Sequence, residues 1–134
     1  MEHLIDSCIW IDLLRPATPT PIRQIAHEAV NRSDAVICEP IWFELQRFCP
    51  KAQRNGVEAR LSTLPLLPTP AELWRNATTL GQQCKDAGIQ AGFSDLLIAT
   101  ICLHHDAIIV TFDAHFDALA KVIGFETELL TRPV

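Results

Sequence analysis

Four acidic residues occupy positions at which a parallel α/β protein carries its chemistry. Asp6 directly follows a short apolar run, and Asp113 lies two residues beyond the apolar run that ends at Thr111. Asp95 begins an apolar segment with helical spacing, and Glu44 lies about one turn into the segment that follows another apolar run. Because sites in parallel sheets form at the carboxyl ends of strands, we expect these acids to face one edge of the sheet.

A gathered set of carboxylates has a specific chemical use. The carboxylates repel one another, so some of them stay protonated at neutral pH unless a cation joins them. Mg²⁺ and Mn²⁺ prefer oxygen ligands, and such a metal lowers the pKa of bound water and neutralises charge on a phosphodiester. No Ser-His or Cys-His set adjoins these acids, so the sequence predicts metal-dependent phosphodiester hydrolysis. Ser7 and Thr111 supply hydroxyls that hold water or orient a carboxylate.

Strands and helices alternate along the chain. Apolar runs predict strands at residues 3–6, 35–38 and 107–111, with shorter candidates at 66–67 and within 125–131. Helical spacing predicts helices at residues 7–15, 22–32, 40–48, 56–64, 70–87, 95–105 and 114–123. Residues 16–21 are predicted to be a linker, and Ser94 is predicted to be the N-cap of the helix that begins at Asp95.

The predicted strands are continuous apolar runs, which is typical of a sheet that is covered on both faces. Together with the alternation of strands and helices, they predict an α/β fold. We expect a three-layer sandwich with a central, mostly parallel sheet. The length of 134 residues predicts a single domain over residues 1–134.

Composition favours a soluble cytoplasmic protein. No apolar run approaches the roughly 18 residues that span a bilayer, and the N-terminal segment does not resemble a secretory signal. Five cysteines without CxxC spacing favour reduced thiols. The net charge of −5 argues against a basic nucleic-acid-binding surface. However, four of the 16 acids belong to the predicted site, which leaves 12 acids against 11 basic residues, so the acidity counts little against such a substrate.

Three stretches of the chain share their order and spacing with a known family. They are LIDSCIWIDLLR at residues 4–15, ICEPIWFEL at 37–45 and GFSDLLIATICLHHDAIIVTFDAHFDAL at 92–119. The chain resembles the PIN domain, and more closely the VapC-type toxins of bacterial toxin–antitoxin pairs. The third stretch is the most specific, since it combines an acid that opens an apolar helix, a strand and a T-x-D ending. With the flanking elements, the resemblance covers essentially the whole chain.

This resemblance implies a metal-dependent endoribonuclease that takes Mg²⁺ or Mn²⁺. It implies RNA as the substrate, a homodimer, and a small antitoxin whose tail enters the acidic site, often with a basic side chain. The acidic set that carries over from the family pattern is Asp6, Glu44, Asp95 and Asp113.

The family pattern also covers positions beside the acids. Ser7 matches the small hydroxyl after the first acid, and Thr111 matches the T-x-D ending. Cys8 departs from the pattern, because many relatives have a hydroxyl or an amide there. This departure weakens the expectation of a supporting role at that position. Asp12 also matches the family pattern, in the W-I-D segment, but its place in the helix favours a role in supporting the helix rather than in binding metal.

Several assignments stay open. Asp117 competes with Asp113 for the last place in the site, although a helix-surface role is its default. Basic residues near Glu44 either form a solvated helix surface or contact the RNA backbone; they are Arg47, Lys51, Arg54 and Arg60. The tryptophans are predicted to be core or dimer-interface residues rather than platforms for base stacking; they are Trp10, Trp42 and Trp74.

Two further functions compete with the ribonuclease. The chain could be a catalytically idle PIN-like module that binds protein or RNA, although an idle module would have no reason to keep four acids. A phosphatase with an aspartyl nucleophile would have a D-x-D sequence near the N-terminus. Residues 6–8 read Asp-Ser-Cys, which argues against the phosphatase.

Overall fold

The computed structural model describes residues 1–133, and a parallel sheet of four strands lies at its centre. The strands are β1 (His3–Ile5), β2 (Ala35–Val36), β3 (Ile108–Thr111) and β4 (Glu126–Leu129), in the order β2-β1-β3-β4. Leu4 of β1 pairs with Val36 on one side and with Ile109 on the other. From β1 the chain goes first to one neighbour and later to the other, so the carboxyl ends of β1 and β3 flank a topological switch point.

Seven α-helices flank this sheet within the described residues. They are α1 (Ser7–Leu14), α2 (Thr20–Val30), α3 (Glu39–Arg47), α4 (Arg54–Leu61), α5 (Leu73–Asp86), α6 (Phe93–His105) and α7 (His115–Ile123). A short 3-10 helix at Lys51–Gln53 precedes α4. The predicted α/β fold with a central parallel sheet is therefore confirmed, and all of its strand pairs are parallel.

Both faces of the central strands are buried. Leu4 and Ile5 of β1 are fully buried, as are Ile109 and Val110 of β3. Successive residues of a strand point to opposite faces, so helices must cover both sides of the sheet. One continuous hydrophobic cluster joins these strands to the helices. No helix in residues 1–133 is both long and apolar enough to cross a membrane.

The observed elements differ from the predicted ones at several boundaries. The second strand ends at Val36, and Ile37 forms only an isolated parallel bridge to Leu66. The strand predicted at residues 66–67 is therefore reduced to one bridge, because Pro65 and Pro68 flank it and proline donates no ladder hydrogen bond. Helix α2 begins at Thr20 rather than at residue 22, because proline is tolerated in the first turn.

The predicted N-cap at Ser94 is wrong. Helix α6 begins at Phe93, and Gly92 in an extended conformation is its N-cap, without a side-chain hydrogen bond. Glycine is an acceptable N-cap, so the helix starts earlier than the serine suggested. Asp95 consequently lies inside the first turn of α6 rather than at its first residue.

The central position of β3 leads to a stability prediction. We expect Ile109→Ala to lower the free energy of unfolding by about 2–5 kcal/mol, because the side chain is fully buried between helices and sheet. Leu129→Ala on the edge strand β4 is the matched control, since Leu129 is 41% exposed, and it should cost under about 1 kcal/mol. Urea unfolding of both variants measures the difference, and equal losses would contradict this account of the core.

Candidate active site

Asp6 lies at the carboxyl end of β1, immediately before α1. Its backbone N–H donates to the carbonyl oxygen of Val110 at 3.0 Å, which continues the pairing of β1 with β3. Its side chain is buried, with 4% of the residue exposed, and one carboxylate oxygen accepts from the backbone N–H of Ser7 at 2.8 Å. Asp6 is thus the N-cap of α1. The cap fixes the carboxylate at the switch point of the sheet, so the structural role and a ligand role are compatible.

Thr111 links the ends of β1 and β3 through its side chain. Its hydroxyl is fully buried and donates to the second carboxylate oxygen of Asp6 at 2.7 Å. The same hydroxyl oxygen accepts from the backbone N–H of Asp113 at 2.9 Å. One hydroxyl therefore orients the first acid and shapes the turn that carries the last one.

Cys8 makes a contact that the sequence did not suggest. Its thiol donates to the same carboxylate oxygen of Asp6, with a sulfur–oxygen distance of 3.2 Å, and lies 3.4 Å from the hydroxyl of Thr111. Burial, followed by the charge of Asp6, raises the pKa of Cys8 to about 12, so the group is a neutral donor. The departure from the family pattern therefore does not remove the supporting contact. Its position in the first turn after the Asp6 cap is the signal from which this contact could have been predicted.

Glu44 approaches Asp6 from helix α3. One carboxylate oxygen lies 3.5 Å from the hydroxyl of Ser7, which donates to it, and the other is buried without a hydrogen-bond partner among residues 1–133. Burial raises the pKa of Glu44, and the charges of Asp6 and Asp95 raise it further. A buried carboxylate oxygen without a donor is unstable as an anion unless a cation or water satisfies it.

Asp95 and Asp113 complete the acidic group. Burial raises the pKa of Asp95 to about 6, helped by the charges of Asp6 and Asp113 and opposed by His115. The carboxylate of Asp113 accepts from the backbone N–H of His115 at 2.9 Å and contacts the ring Nδ1 of the same residue at 2.8 Å. Asp113 also contributes to the raised pKa of Asp6, in which burial is the largest cause. All four predicted acids therefore share one electrostatic environment, which we call the acidic cluster.

Two other acids point away from the acidic cluster. Asp117 accepts a hydrogen bond from the hydroxyl of Thr127 on β4. Asp12 forms an ion pair with Arg132, with a nitrogen–oxygen distance of 3.0 Å. Asp117 therefore joins α7 to the edge strand, and this geometry favours Asp113 over Asp117 as the fourth acid. Asp12 has the structural contact that its position in α1 suggested.

The basic residues near Glu44 differ in their surroundings. Arg47 lies one turn after Glu44 on α3, and its guanidinium is 5.7 Å from the ring centroid of Phe43 and 4.9 Å from that of Phe48. Lys51 is exposed in the 3-10 helix, and the guanidinium of Arg54 donates to the carbonyl oxygen of Cys49 at 3.1 Å. Cation–π contacts of this kind orient an arginine without neutralising it.

An apolar groove of about 460 Å³ adjoins the acidic cluster. Helices α1, α3 and α4 form its walls, and Glu44 is among the residues that line it. The apolar side chains of the groove include Ile11, Leu14, Leu45, Phe48 and Val57. Arg15 is the other charged residue of the lining, and a concave apolar surface with few charged groups is typical of a binding site.

The acidic cluster suits a hard divalent cation in its donor chemistry. Its donors are carboxylate oxygens, three of the acids have raised pKa values, and one oxygen of Glu44 is buried without a partner. Across residues 1–133, however, no three His, Cys, Asp or Glu side chains are close enough together to hold a metal ion. The donor chemistry, rather than a preformed cage, therefore supports a metal at this position.

The chain is similar to ribonucleases of known sequence. It is 27% identical over 129 residues to "Ribonuclease VapC11" of Mycobacterium tuberculosis, a match that covers 92% of this chain and 95% of that protein. "VapC ribonuclease Mb1587" of Mycobacterium bovis matches with the same identity and coverage.

Solved structures share the fold at lower sequence identity. VapBC2 from Rickettsia felis, bound to a DNA fragment from its promoter, matches with a TM-score of 0.76 and 18% identity, over 97% of this chain and 99% of that one. DNA-bound VapBC from Salmonella typhimurium matches with a TM-score of 0.71 and 19% identity, over 96% and 97% of the two chains.

The family follows from the match of a sequence model to nearly the whole chain. The model described as "PIN domain" matches residues 3–122, which include all four members of the acidic cluster. The resemblance noted from the three sequence stretches is thereby confirmed. This chain belongs to the PIN domain family.

Proposed function

We propose that this protein is a metal-dependent endoribonuclease that hydrolyses RNA phosphodiester bonds, and that it is the toxin of a VapBC-type toxin–antitoxin pair in the cytoplasm. The observation that carries the proposal is the acidic cluster at the carboxyl ends of β1 and β3, in which Asp6, Glu44 and Asp95 all have raised pKa values. Membership of the PIN domain family and the similarity to VapC ribonucleases support the reaction class.

We infer that a Mg²⁺ or Mn²⁺ ion binds among the carboxylates of the acidic cluster. Such an ion supplies charge neutralisation at the scissile phosphodiester and lowers the pKa of water. The residues that would hold it are Asp6, Glu44, Asp95 and Asp113.

The neighbours of the acids hold those carboxylates in position. Thr111, Cys8 and the backbone of Ser7 donate to Asp6, and donors of this kind fix a ligand's orientation. The Ser7 hydroxyl supports Glu44 more weakly, at 3.5 Å. His115 holds one oxygen of Asp113 and leaves the other oxygen of that carboxylate for a cation or substrate water.

RNA must approach an acidic surface, so its phosphates require cations beside the site. Arg47 is the strongest candidate, because Phe43 and Phe48 orient a guanidinium that lies one turn from Glu44. Lys51 and Arg54 continue the basic surface along the following residues. Arg54 is partly committed to the carbonyl oxygen of Cys49.

A partner antitoxin would need a surface that reaches the acidic cluster. The groove between α1, α3 and α4 meets that requirement, since it is apolar and Glu44 is among its lining residues. An antitoxin segment with apolar residues in the groove and a basic side chain at the cluster would neutralise the acids that the substrate requires. Assembly as a homodimer remains a prediction.

Substitutions of the acids test the reaction and the identity of the fourth acid. We expect Asp6→Asn, Asp95→Asn and Asp113→Asn each to lower the cleavage rate of RNA in Mg²⁺ by at least about 100-fold, since each removes a ligand charge worth several kcal/mol. Asp117→Asn is the matched control and should stay within about threefold, because its partner is Thr127. Any co-purified antitoxin is removed first, by unfolding and refolding.

Two results would contradict the assignment. Absence of cleavage by the wild-type protein with every divalent metal would overturn the proposed enzyme and favour the idle binding module. Loss of activity in Asp117→Asn, with activity retained in Asp113→Asn, would exchange the roles of these two acids.

The raised pKa of Asp95 predicts how the metal-free protein responds to pH. The pKa is about 6 in the folded state and about 3.9 in an unfolded chain, so ionisation destabilises the fold as pH rises from about 4 to about 6. We expect Asp95→Asn to melt at a higher temperature than wild type at pH 7 in EDTA, with a difference that vanishes near pH 4. Mg²⁺ should stabilise the wild type more than the variant at pH 7. Equal pH profiles for the two proteins would contradict a raised pKa of Asp95 in the folded state.

Salt dependence tests the contact of Arg47 with RNA. We expect Arg47→Ala to weaken binding of single-stranded RNA and to reduce the slope of log Kd against log salt by about 0.7, as the loss of one phosphate contact requires. Lys85→Ala, at the exposed end of α5, removes the same charge as a control and should leave the slope unchanged. If wild type, Arg47→Ala and Lys85→Ala all show the same slope of log Kd against log salt, Arg47 makes no phosphate contact and belongs to the solvated helix surface.

A further inference from the structure

Two large aromatic side chains lie exposed next to each other at the beginnings of α5 and α6. Trp74 is 62% exposed and Phe93 is 71% exposed, and their ring centroids are 5.8 Å apart with an angle of 35° between the planes. Neither ring belongs to the hydrophobic core. Trp74 thus departs from the core role considered for it, whereas Trp10 is fully buried.

This aromatic pair lies beside the acidic cluster. Phe93 is the first residue of α6, and Asp95 follows in the same turn. A Cβ atom added at Gly92 would lie 3.5 Å from a carboxylate oxygen of Asp95, so that carboxylate lies over the backbone directly before Phe93. The Asp95 carboxylate and the residue that carries the Phe93 ring therefore both lie at the N-terminal end of α6.

Exposed aromatic rings can bind RNA at a site whose acidic residues repel the phosphates. The acidic cluster repels RNA phosphates, and the basic residues considered for RNA binding lie on α3 and the segment that follows it. Stacking of bases on aromatic rings does not depend on charge, and it accepts any unpaired base, because every base has a π face. Near Trp74 the guanidinium of Arg75 lies 3.6 Å from the carboxylate of Glu72, which partly offsets its charge, and the rings add a source of affinity that does not depend on charge.

We propose that Trp74 and Phe93 form a stacking platform that positions an unpaired RNA base next to the scissile phosphate. The inference rests on the proposed ribonuclease function and assigns to two residues outside the acidic cluster the task of holding a base at that site. Trp74 and Phe93 act as positioning residues, and they take no part in the chemical step.

Binding and kinetics of matched variants test the platform. Dissociation constants are measured with a labelled single-stranded RNA and Mg²⁺ in an Asp6→Asn background, and KM and kcat are measured without that substitution. We expect Trp74→Ala and Phe93→Ala each to raise Kd and KM by about 5- to 100-fold, with kcat within about threefold. Trp74→Phe and Phe93→Tyr keep a ring and should restore most of the affinity. Leu103→Ala, at the opposite end of α6 and 38% exposed, is the control and should change neither constant.

Altered RNA tests base stacking in a protein that keeps both Trp74 and Phe93. A single-stranded RNA with abasic sites keeps its phosphates but loses the stacking surfaces, and a duplex buries them. We expect both to bind the Asp6→Asn protein about 5- to 100-fold more weakly than the unpaired RNA that carries all of its bases. This measurement does not depend on how well the ring variants fold.

The outcomes separate failure of the platform from failure of the enzyme. RNA that is bound and cleaved by the wild type, with constants unchanged in Trp74→Ala and Phe93→Ala or for abasic RNA, overturns the platform alone. Ring variants that lose self-association in sedimentation, at unchanged RNA affinity, also overturn it and assign the pair to a contact between copies of the chain. A wild type that neither binds nor cleaves RNA overturns the platform together with the proposed function.

Discussion

Repulsion among the carboxylates of the acidic cluster is the constraint that the structure at the carboxyl ends of β1 and β3 must overcome. Asp6 is buried, Glu44 and Asp95 are half-buried, and burial, followed by the charge of Asp6, raises the pKa values of both. Such an arrangement lowers stability, and a fold keeps it only where the surrounding structure is strong enough to hold the acids together. Here the hydrogen-bonded ends of two central strands provide that strength, because Asp6 is itself bonded to Val110 across the sheet.

The sheet and the helices divide the work of positioning. The pairing of β1 with β3 determines where Asp6 and Thr111 meet, while α3 and α6 bring Glu44 and Asp95 in from separate parts of the chain. The fully buried residues of β1 and β3 leave these strands little freedom to shift in register, since a slip by one residue would exchange their two faces. Precision at the site is therefore a property of the core beneath it.

The sequence predicted what depends on local pattern and on strand order. Continuous apolar runs identified the parallel sheet, and their carboxyl ends identified Asp6 and Asp113, because both follow from rules that hold along a single segment. Glu44 and Asp95 were identified by their places near the beginnings of helices. Contacts between distant segments were not predictable in this way. The ion pair of Asp12 with Arg132, the turn of Asp117 toward Thr127 and the pairing of Trp74 with Phe93 all depend on packing that no local pattern encodes. The start of α6 at Phe93, with Gly92 as its N-cap, was missed because serine is usually the stronger capping residue.

The hydroxyl of Thr111 has a consequence for how this site can vary. The hydroxyl donates a hydrogen bond to the carboxylate of Asp6 and accepts one from the backbone N–H of Asp113. A single side chain therefore joins two acids that are far apart in sequence. Energies within such a network are not additive. Substitutions at Asp6, Thr111 and Asp113 are therefore epistatic: the effect of each depends on which residues stand at the other two, and the three positions form one unit of mutational change.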